Sequence, residues 1–69
     1  MNNSDTIIIH FMGRLVGTIQ APADLTKSEL ETFALASDLV KKQMQGKRLK
    51  EVIVTMLPHK TVDIIYYSL

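Results

Sequence analysis

The chain has 69 residues, which is enough for one small domain and too few for two. Hydrophobic residues make up 46% of the sequence, which is typical of globular domains and argues against intrinsic disorder. The absence of cysteine excludes disulfides, Cys-based zinc sites and a thiol nucleophile. The net charge is only +1, so the total charge gives no indication of a nucleic-acid partner.

The N-terminal segment is polar, and no signal peptide is visible in it. Residues 1–5 are expected to be disordered, and residues 6–69 are expected to form a single domain. The segment "MNNSDT" has no cationic stretch followed by an apolar run. The apolar runs "TIIIHFM" and "VDIIYY" are far too short to cross a bilayer. We therefore expect a soluble, cytoplasmic domain with no membrane partner.

The first two predicted elements are strands joined by a tight turn. The segments "TIIIHFM" and "RLVGTIQA" flank Gly13 and favour a β-hairpin that ends at Pro22. In the second strand we expect Leu15, Ile19 and Ala21 on one face, with Val16, Thr18 and Gln20 on the other. Met12 is poorly suited to the positive φ of a type I′ turn, so we expect another turn type or a bulge there.

A helix start is the clearest local signal. Thr26 and Glu29 have the spacing of a capping box, and Leu25 and Leu30 that of a hydrophobic staple. The apolar stripe that follows consists of Leu30, Phe33, Ala34, Leu39, Val40 and Met44. Gly46 suits the C′ position that stops the helix. Because Ser37 and Asp38 favour caps over helix interiors, the helix from about Lys27 to Gln45 is expected to be continuous, kinked, or split near Ser37.

Two more strands complete the predicted fold. Leu49–Leu57 and Thr61–Ser68 are expected to form a second hairpin around the turn at Pro58. The element order is therefore β-β-α-β-β. An amphipathic helix between two hairpins can bury its apolar face on a small sheet, so we predict a small two-layer α+β domain.

Catalytic and metal-binding patterns are not visible in the sequence. The three glycines are scattered, so there is no glycine-rich phosphate loop. His10 and His59 have no nearby acidic or cysteine partner, and they are most simply a strand residue and a turn residue. The serines have no adjacent base and orienting group. We therefore expect this chain to have no catalytic residue, no metal and no cofactor, which leaves binding as its function.

Five of the eight cations lie between Lys41 and Lys50. Lys41 and Lys42 fit the cation preference of a helix C-terminus. Lys47, Arg48 and Lys50 lie beyond the helix stop, where exposed cations can contact phosphates. Two further candidates occupy hairpin turns, and the predicted RNA-binding set is Arg14, Lys41, Lys42, Lys47, Arg48, Lys50 and Lys60.

Two adjacent tyrosines near the C-terminus offer a second kind of contact. Tyr66 and Tyr67 alternate faces in the last strand, so we expect one in the core and the other at a surface or edge. An exposed tyrosine could stack on an unpaired base. Charge and spacing alone leave nucleic-acid binding and protein binding equally open.

A set of glycine, proline and basic residues has a familiar order and spacing. The segment "GRLVGTIQAPADLTKSELETFALASDLVKKQMQGKRLKEVIV" resembles the C-terminal domain of bacterial-type leucyl-tRNA synthetase, which typically reads V-N-G-K-x-R-G-x-I-x-V-P-x-D-A-T and later L-x-G-K-x-I-K-K-V-I-V. The resemblance runs from about Ile8 to Ile65. Matching residues are Gly13, Arg14, Gly17, Ile19, Pro22, Asp24, Thr26, Gly46, Lys47, Lys50, Val52, Ile53, Val54, Pro58, Lys60, Val62 and Ile64.

Four features depart from the family pattern. Met12 replaces an Asn, Val16 replaces a basic residue, and Asp63 replaces an Asn of the last strand. The second hairpin is about two residues longer, through Met56 and Leu57. These departures concern the finer RNA contacts and leave the predicted fold unchanged.

The resemblance implies a non-catalytic module that binds the outer corner of tRNA, where the D and T loops meet, and supports leucylation by a parent enzyme. Its partners would be tRNA, of leucine identity, and the remaining synthetase domains, and the chain would be a monomer excised from a larger protein. ATP and leucine would bind those other domains, whose HIGH-like and KMSKS-like motifs are absent here. The alternative is a free-standing protein-interaction or RNA-binding module of the same fold.

Overall fold

The fold is a four-stranded sheet covered on one side by two short helices. A computed structural model describes residues 3–67. The elements in chain order are β1 (Ser4–Phe11), β2 (Arg14–Pro22), α1 (Lys27–Ala36), α2 (Asp38–Gln43), β3 (Leu49–Thr55) and β4 (Thr61–Tyr66). The predicted two-layer α+β class is confirmed, with the helical segment divided in two.

The sheet has the strand order β2-β1-β4-β3. Both hairpins are antiparallel as predicted, whereas β1 and β4 pair in parallel at the centre of the sheet. A parallel pair needs a long crossover, and here the helices and β3 supply it. As a result, the β1–β2 turn, the end of β4 and the start of β3 all lie at the same end of the sheet.

The first strand begins earlier than the sequence indicates. Residues 1–5 were expected to be disordered, but Ser4 and Asp5 are part of β1 and pair with the last residues of β2. Asp5 also forms an ion pair with Lys60, with 2.6 Å between its Oδ2 and the lysine Nζ. The prediction is therefore wrong for these two residues, and residues 1 and 2 lie outside the described range.

The hydrophobic core lies between the sheet and the helices. Within residues 3–67, its buried members are Ile7, Ile9, Phe11, Ala21, Leu30, Ala34, Val40, Val54, Val62 and Ile64. Phe33 was expected in the buried stripe but is 37% exposed. It lies about 100° around the helix from Ala34, at the border of the buried face. Leu35, on the opposite border, packs against the core instead.

Polar residues cap the start of α1 and the junction between α1 and α2. The Thr26 N–H donates to Glu29 Oε1 at 2.8 Å, and the Glu29 N–H donates to Thr26 Oγ1 at 3.2 Å, which confirms the capping box. Ser37 has an extended backbone, and its Oγ donates to the Ala34 carbonyl and accepts from the Val40 N–H. Ser37 thus caps both helices, as the predicted split requires. Neither helix in the described range is long and apolar enough to cross a membrane.

An irregularity in β2 reverses the faces predicted for its first residues. Ile9 pairs with Gly17, but His10 pairs with Leu15, so Val16 is an extra residue. A β-bulge of this kind shifts the alternation of side chains by one position. Leu15 is accordingly 68% exposed, while Val16 packs against the core. The predicted placement of these two residues is therefore wrong.

The β1–β2 turn has positive φ at Met12 (54°) and at Gly13 (82°). These are the φ signs of a type I′ turn, so the expectation of another turn type or a bulge at Met12 is wrong; the bulge lies farther along, at Val16 in β2. The turn is tied to β4, because the Met12 N–H donates to the Ile64 carbonyl at 2.9 Å and the Gly13 N–H donates to Asp63 Oδ1 at 3.1 Å. These bonds hold Met12 in a conformation that its Cβ disfavours.

Replacing Met12 by asparagine is expected to stabilise the chain by about 0.5–1 kcal/mol, because asparagine tolerates the left-handed region better than other side chains. Urea denaturation would measure the change, with an unaltered m-value showing that the unfolded state is the same. The control is Met12→Ala, which removes the exposed side chain without relieving the backbone. If Met12→Asn is no more stable than Met12→Ala, the turn is not strained.

Candidate nucleic-acid interface

Cations from three parts of the chain meet at one end of the molecule. There the β1–β2 turn lies beside the end of β4, and Leu49 at the start of β3 pairs with Tyr66. The turn between β3 and β4 lies at the opposite end of the sheet, because β4 runs parallel to β1. We call the end with the β1–β2 turn the basic end and define it by Arg14, Lys41, Lys42, Lys47, Arg48 and Lys50.

The segment from the last turn of α2 to the start of β3 carries five of these six cations. Lys41 and Lys42 occupy the last turn of α2, where the helix carbonyls favour positive charge. The chain then turns through Gly46, which has a φ of 75° as expected of a helix stop, although it lies two residues beyond the C-cap Met44. Gln43 at the end of α2 shares a surface depression of about 400 Å³ with Arg14 and Tyr66. The helix end and the first hairpin are therefore neighbours.

Lys60 is the one predicted site residue that lies elsewhere. It precedes the first residue of β4, and β4 runs parallel to β1, so Lys60 is at the opposite end of the sheet. Its Nζ donates to Asp5 Oδ2 at 2.6 Å and to the Ala23 carbonyl at 3.0 Å. The ammonium thus joins the start of β1 to the turn after β2, and the structure brings together only the other six cations.

None of the six cations of the basic end forms an ion pair with an acid within residues 3–67, although Glu51 follows Lys50 and Asp63 lies beside the turn that precedes Arg14. All six side chains are exposed. The ion pair between Lys60 and Asp5 is the only one among the described residues. A local excess of positive charge therefore faces solvent at this end, which is the arrangement that phosphate binding requires.

Two tyrosines lie among these cations. Lys47 Nζ is 5.3 Å from the ring centroid of Tyr66. Arg48 Cζ and Lys50 Nζ are 5.3 Å and 5.9 Å from the centroid of Tyr67. All three distances are within the range of cation–π attraction. The basic end therefore combines charge with aromatic surface.

The two tyrosines differ in burial, as their alternation in the strand predicts. Tyr66 is half-buried and its ring packs against Phe11, with 6.1 Å between centroids. Tyr67 is 52% exposed. The sequence could not show which of the two faces the core. The face on which each tyrosine lies follows from the alternation of side chains along β4, in which Val62 and Ile64 are buried.

The second face of the sheet is not covered by any element of the described chain. By strand alternation Ile8, His10, Ile53, Asp63 and Ile65 lie on it. His10 and Asp63 are register neighbours on parallel strands, but one oxygen of Asp63 accepts the Gly13 N–H. No group of three or more metal-ligating side chains occurs among residues 3–67. The candidate site is thus a surface of cations and rings.

Comparison with known proteins gives relatives by sequence. No protein-family model matches the chain. The leucine–tRNA ligases of Picosynechococcus and Crocosphaera subtropica are each 43% identical over 60 residues, which is 87% of this chain. The leucine–tRNA ligase of Synechocystis is 40% identical over the same length. In each case the chain spans only 7% of the relative's length.

A solved structure shares the fold. It is a leucyl-tRNA synthetase of Agrobacterium radiobacter, crystallised as a ternary complex with tRNA and LeuAMS. The match covers 99% of this chain and 9% of that one, with a TM-score of 0.77 and 16% sequence identity. At this level of identity the comparison demonstrates a common fold.

The fold and the sequence matches define one small α+β domain of the kind found in aminoacyl-tRNA synthetases. More specifically, the chain is homologous to a domain-sized segment of bacterial leucyl-tRNA synthetase, and the resemblance indicated by its motifs is confirmed. Since the shared segment is about 7% of the relatives' length, one domain is what the proteins have in common.

Proposed function

We propose that the chain is the C-terminal module of a leucyl-tRNA synthetase and that its basic end binds the outer corner of tRNA, where the D and T loops meet. One observation carries this proposal. The fold gathers six exposed cations, none of them ion-paired among the described residues, at one end of the sheet. Contacts between cations and phosphates position an RNA without reading its sequence, so leucine identity need not be decided here.

The comparisons support the choice of partner. The relatives are named leucine–tRNA ligase, and the structural neighbour was solved with tRNA. The tRNA corner follows from the resemblance of the motifs. In this proposal the module is a cytoplasmic, monomeric, non-catalytic part of the parent enzyme, and ATP and leucine bind other domains.

The cations of the basic end act in two ways in this proposal, as direct contacts to phosphates and as contributors to the local positive field. Arg14, Lys47, Arg48 and Lys50 are the direct phosphate contacts, since they lie in the loop between α2 and β3 and at the starts of β2 and β3, all at this end of the sheet. Lys41 and Lys42 add to the local field. Lys60 is left out, because its ammonium is already held by Asp5 and Ala23.

The double variant Lys47→Ala/Arg48→Ala tests the proposal. It is expected to weaken the binding of folded tRNA and to reduce the slope of log affinity against log salt by roughly two units, one for each lost phosphate contact. Fluorescence anisotropy of end-labelled tRNA at several salt concentrations would measure both quantities. The two side chains are exposed, so the fold should be retained.

The matched control is Lys27→Ala. Lys27 is an exposed cation in the first turn of α1, outside the basic end, so its loss should leave affinity and salt slope unchanged. If the double variant also leaves both unchanged, the basic end is not the RNA surface. The cluster would then be only a solvated helix end and loop.

A protein-interaction module of the same fold is the second candidate. The observation in its favour is the uncovered sheet face, where Ile53 is 47% exposed on the edge strand. Apolar side chains on an open face are a common feature of protein interfaces. A wild-type chain that fails to bind tRNA even at low salt would favour this candidate over RNA binding.

A further inference from the structure

We propose that Tyr67, together with Arg48 and Lys50, forms a stacking platform for an exposed nucleobase of the bound RNA. This inference rests on the proposed function, because it requires the basic end to face RNA. It adds a second, largely uncharged component to the binding. It also names the part of the RNA that the platform contacts, which is a base rather than the backbone.

The position of the ring is set by the end of β4. Tyr67 directly follows the last residue of that strand, and alternation directs its side chain away from the face that packs on the helices. Its N–H donates to the Arg48 carbonyl at 2.9 Å. This bond fixes the backbone of the ring-bearing residue beside the backbone of the cation-bearing residue. The backbone of Tyr67 is therefore held at the end of the sheet, with its ring at the surface.

The neighbouring tyrosine has a different role. Tyr66 packs its ring on Phe11 and lies against the core. Its ring is thus largely occupied by protein contacts. Tyr67 is 52% exposed, and the only ring contacts found for it among the described residues are with Arg48 and Lys50. Of the two, Tyr67 is the ring with a free surface for a ligand.

The three side chains suit a nucleotide better than a phosphate alone. An aromatic ring can stack on any base, because every base presents a π-face. The planar guanidinium of Arg48 can itself stack or bind a phosphate oxygen, and the Lys50 ammonium can approach the adjacent phosphate. Both cations lie over the ring, at 5.3 Å and 5.9 Å from its centroid, so an incoming base would displace one of them, which is then free to contact the adjacent phosphate.

A platform of this kind would favour loops over stems. Bases inside an RNA helix are stacked on each other and cannot reach a protein ring, whereas loop bases can be turned outward. The cations contact phosphates in either case. Tyr67 would therefore account for a preference of the chain for folded tRNA over a plain RNA duplex.

The test compares Tyr67→Leu with Tyr67→Phe, using as probes folded tRNA and a long RNA duplex, whose exposed terminal base pairs are a small fraction of the whole. Losing one base–aromatic stack is expected to weaken tRNA binding about tenfold or more for Tyr67→Leu. Tyr67→Phe keeps the ring and should bind tRNA like the wild type. The salt slope should be the same in all three proteins, and duplex binding should not respond to either change.

A fluorescent variant gives a second readout that does not depend on the leucine variant folding. The chain contains no tryptophan, so Tyr67→Trp introduces a unique indole. Its emission is expected to be quenched on adding tRNA, through stacking with a base, and to stay unchanged on adding the duplex. Quenching by both probes, or by neither while tRNA binds, would overturn the platform.

The outcomes separate the two proposals. If Tyr67→Leu binds tRNA as tightly as the wild type while Lys47→Ala/Arg48→Ala binds weakly, the platform is wrong and the basic end remains the RNA surface. If the wild-type chain does not bind tRNA at low salt, both are wrong. If Tyr67→Phe loses as much affinity as Tyr67→Leu, the hydroxyl rather than the ring makes the contact, and the platform is again wrong.

Discussion

Replacing Ile64 by alanine is expected to destabilise the chain by about 2–5 kcal/mol. Ile64 lies in the central strand β4 and is fully buried, so the substitution leaves a cavity between the sheet and the helices. A 69-residue domain has a total stability of roughly 3–10 kcal/mol. The variant should therefore lose a large share of its stability, which urea denaturation followed by circular dichroism would show.

The matched control for this experiment is Ile53→Ala. Ile53 lies in the same sheet but faces the uncovered side, and it is 47% exposed. Ile53→Ala should therefore lower the free energy of unfolding much less than Ile64→Ala does. Equal losses for the two variants would contradict the assignment of the core to one face of the sheet, and would indicate that the second face is covered in solution.

The second large effect is expected from salt, which should weaken the binding of tRNA. The log of the affinity falls with the log of the salt concentration by about 0.7–0.9 for each phosphate contact. Four contacts therefore predict that raising monovalent salt from 50 to 200 mM weakens tRNA binding by about 50- to 150-fold. The four contacts are those of Arg14, Lys47, Arg48 and Lys50. Anisotropy titrations at four salt concentrations would give the slope directly.

The size of the slope distinguishes the candidate functions. A loss of about threefold or less over this range would correspond to a single contact, which is fewer than the basic end provides. The variant Arg14→Ala should lower the slope by roughly one unit, because Arg14 reaches the basic end from the first hairpin. An unchanged slope in that variant would show that the first hairpin does not touch the RNA.

Most local elements of the fold could be predicted because their signals are short-range. The capping residues Thr26 and Glu29 lie three positions apart, and Ser37 interrupts a helical stripe visibly in the sequence. The parallel pairing of β1 with β4 could not be predicted in the same way. It depends on how the two hairpins pack around the helices, and no local pattern encodes that contact.

The bulge at Val16 shows the same limit on a smaller scale. Strict alternation places Leu15 with Ile19, and only the register against β1 reveals the extra residue. Asp63 was noticed in the sequence as a departure from the family pattern. Its contact with the Gly13 N–H, fifty residues away, became visible only in the structure.

The candidate site was predictable in composition but not in layout. The five cations between Lys41 and Lys50 belong to one short segment of the chain, so they had to lie near one another. Lys60 seemed equivalent to Arg14 because both occur next to hairpin turns. The parallel arrangement of β1 and β4 separates them, because it places the two turns at opposite ends of the sheet.

The central claim, that the basic end holds tRNA, is tested most directly by an amide-shift titration. The nitrogen-15-labelled chain would be titrated with folded tRNA at low and moderate salt. We predict shifts or broadening at Arg14, at residues 47–50 and at Tyr67, which diminish as salt is raised. Changes confined to residues 30–40, with none at the basic end, would contradict the claim.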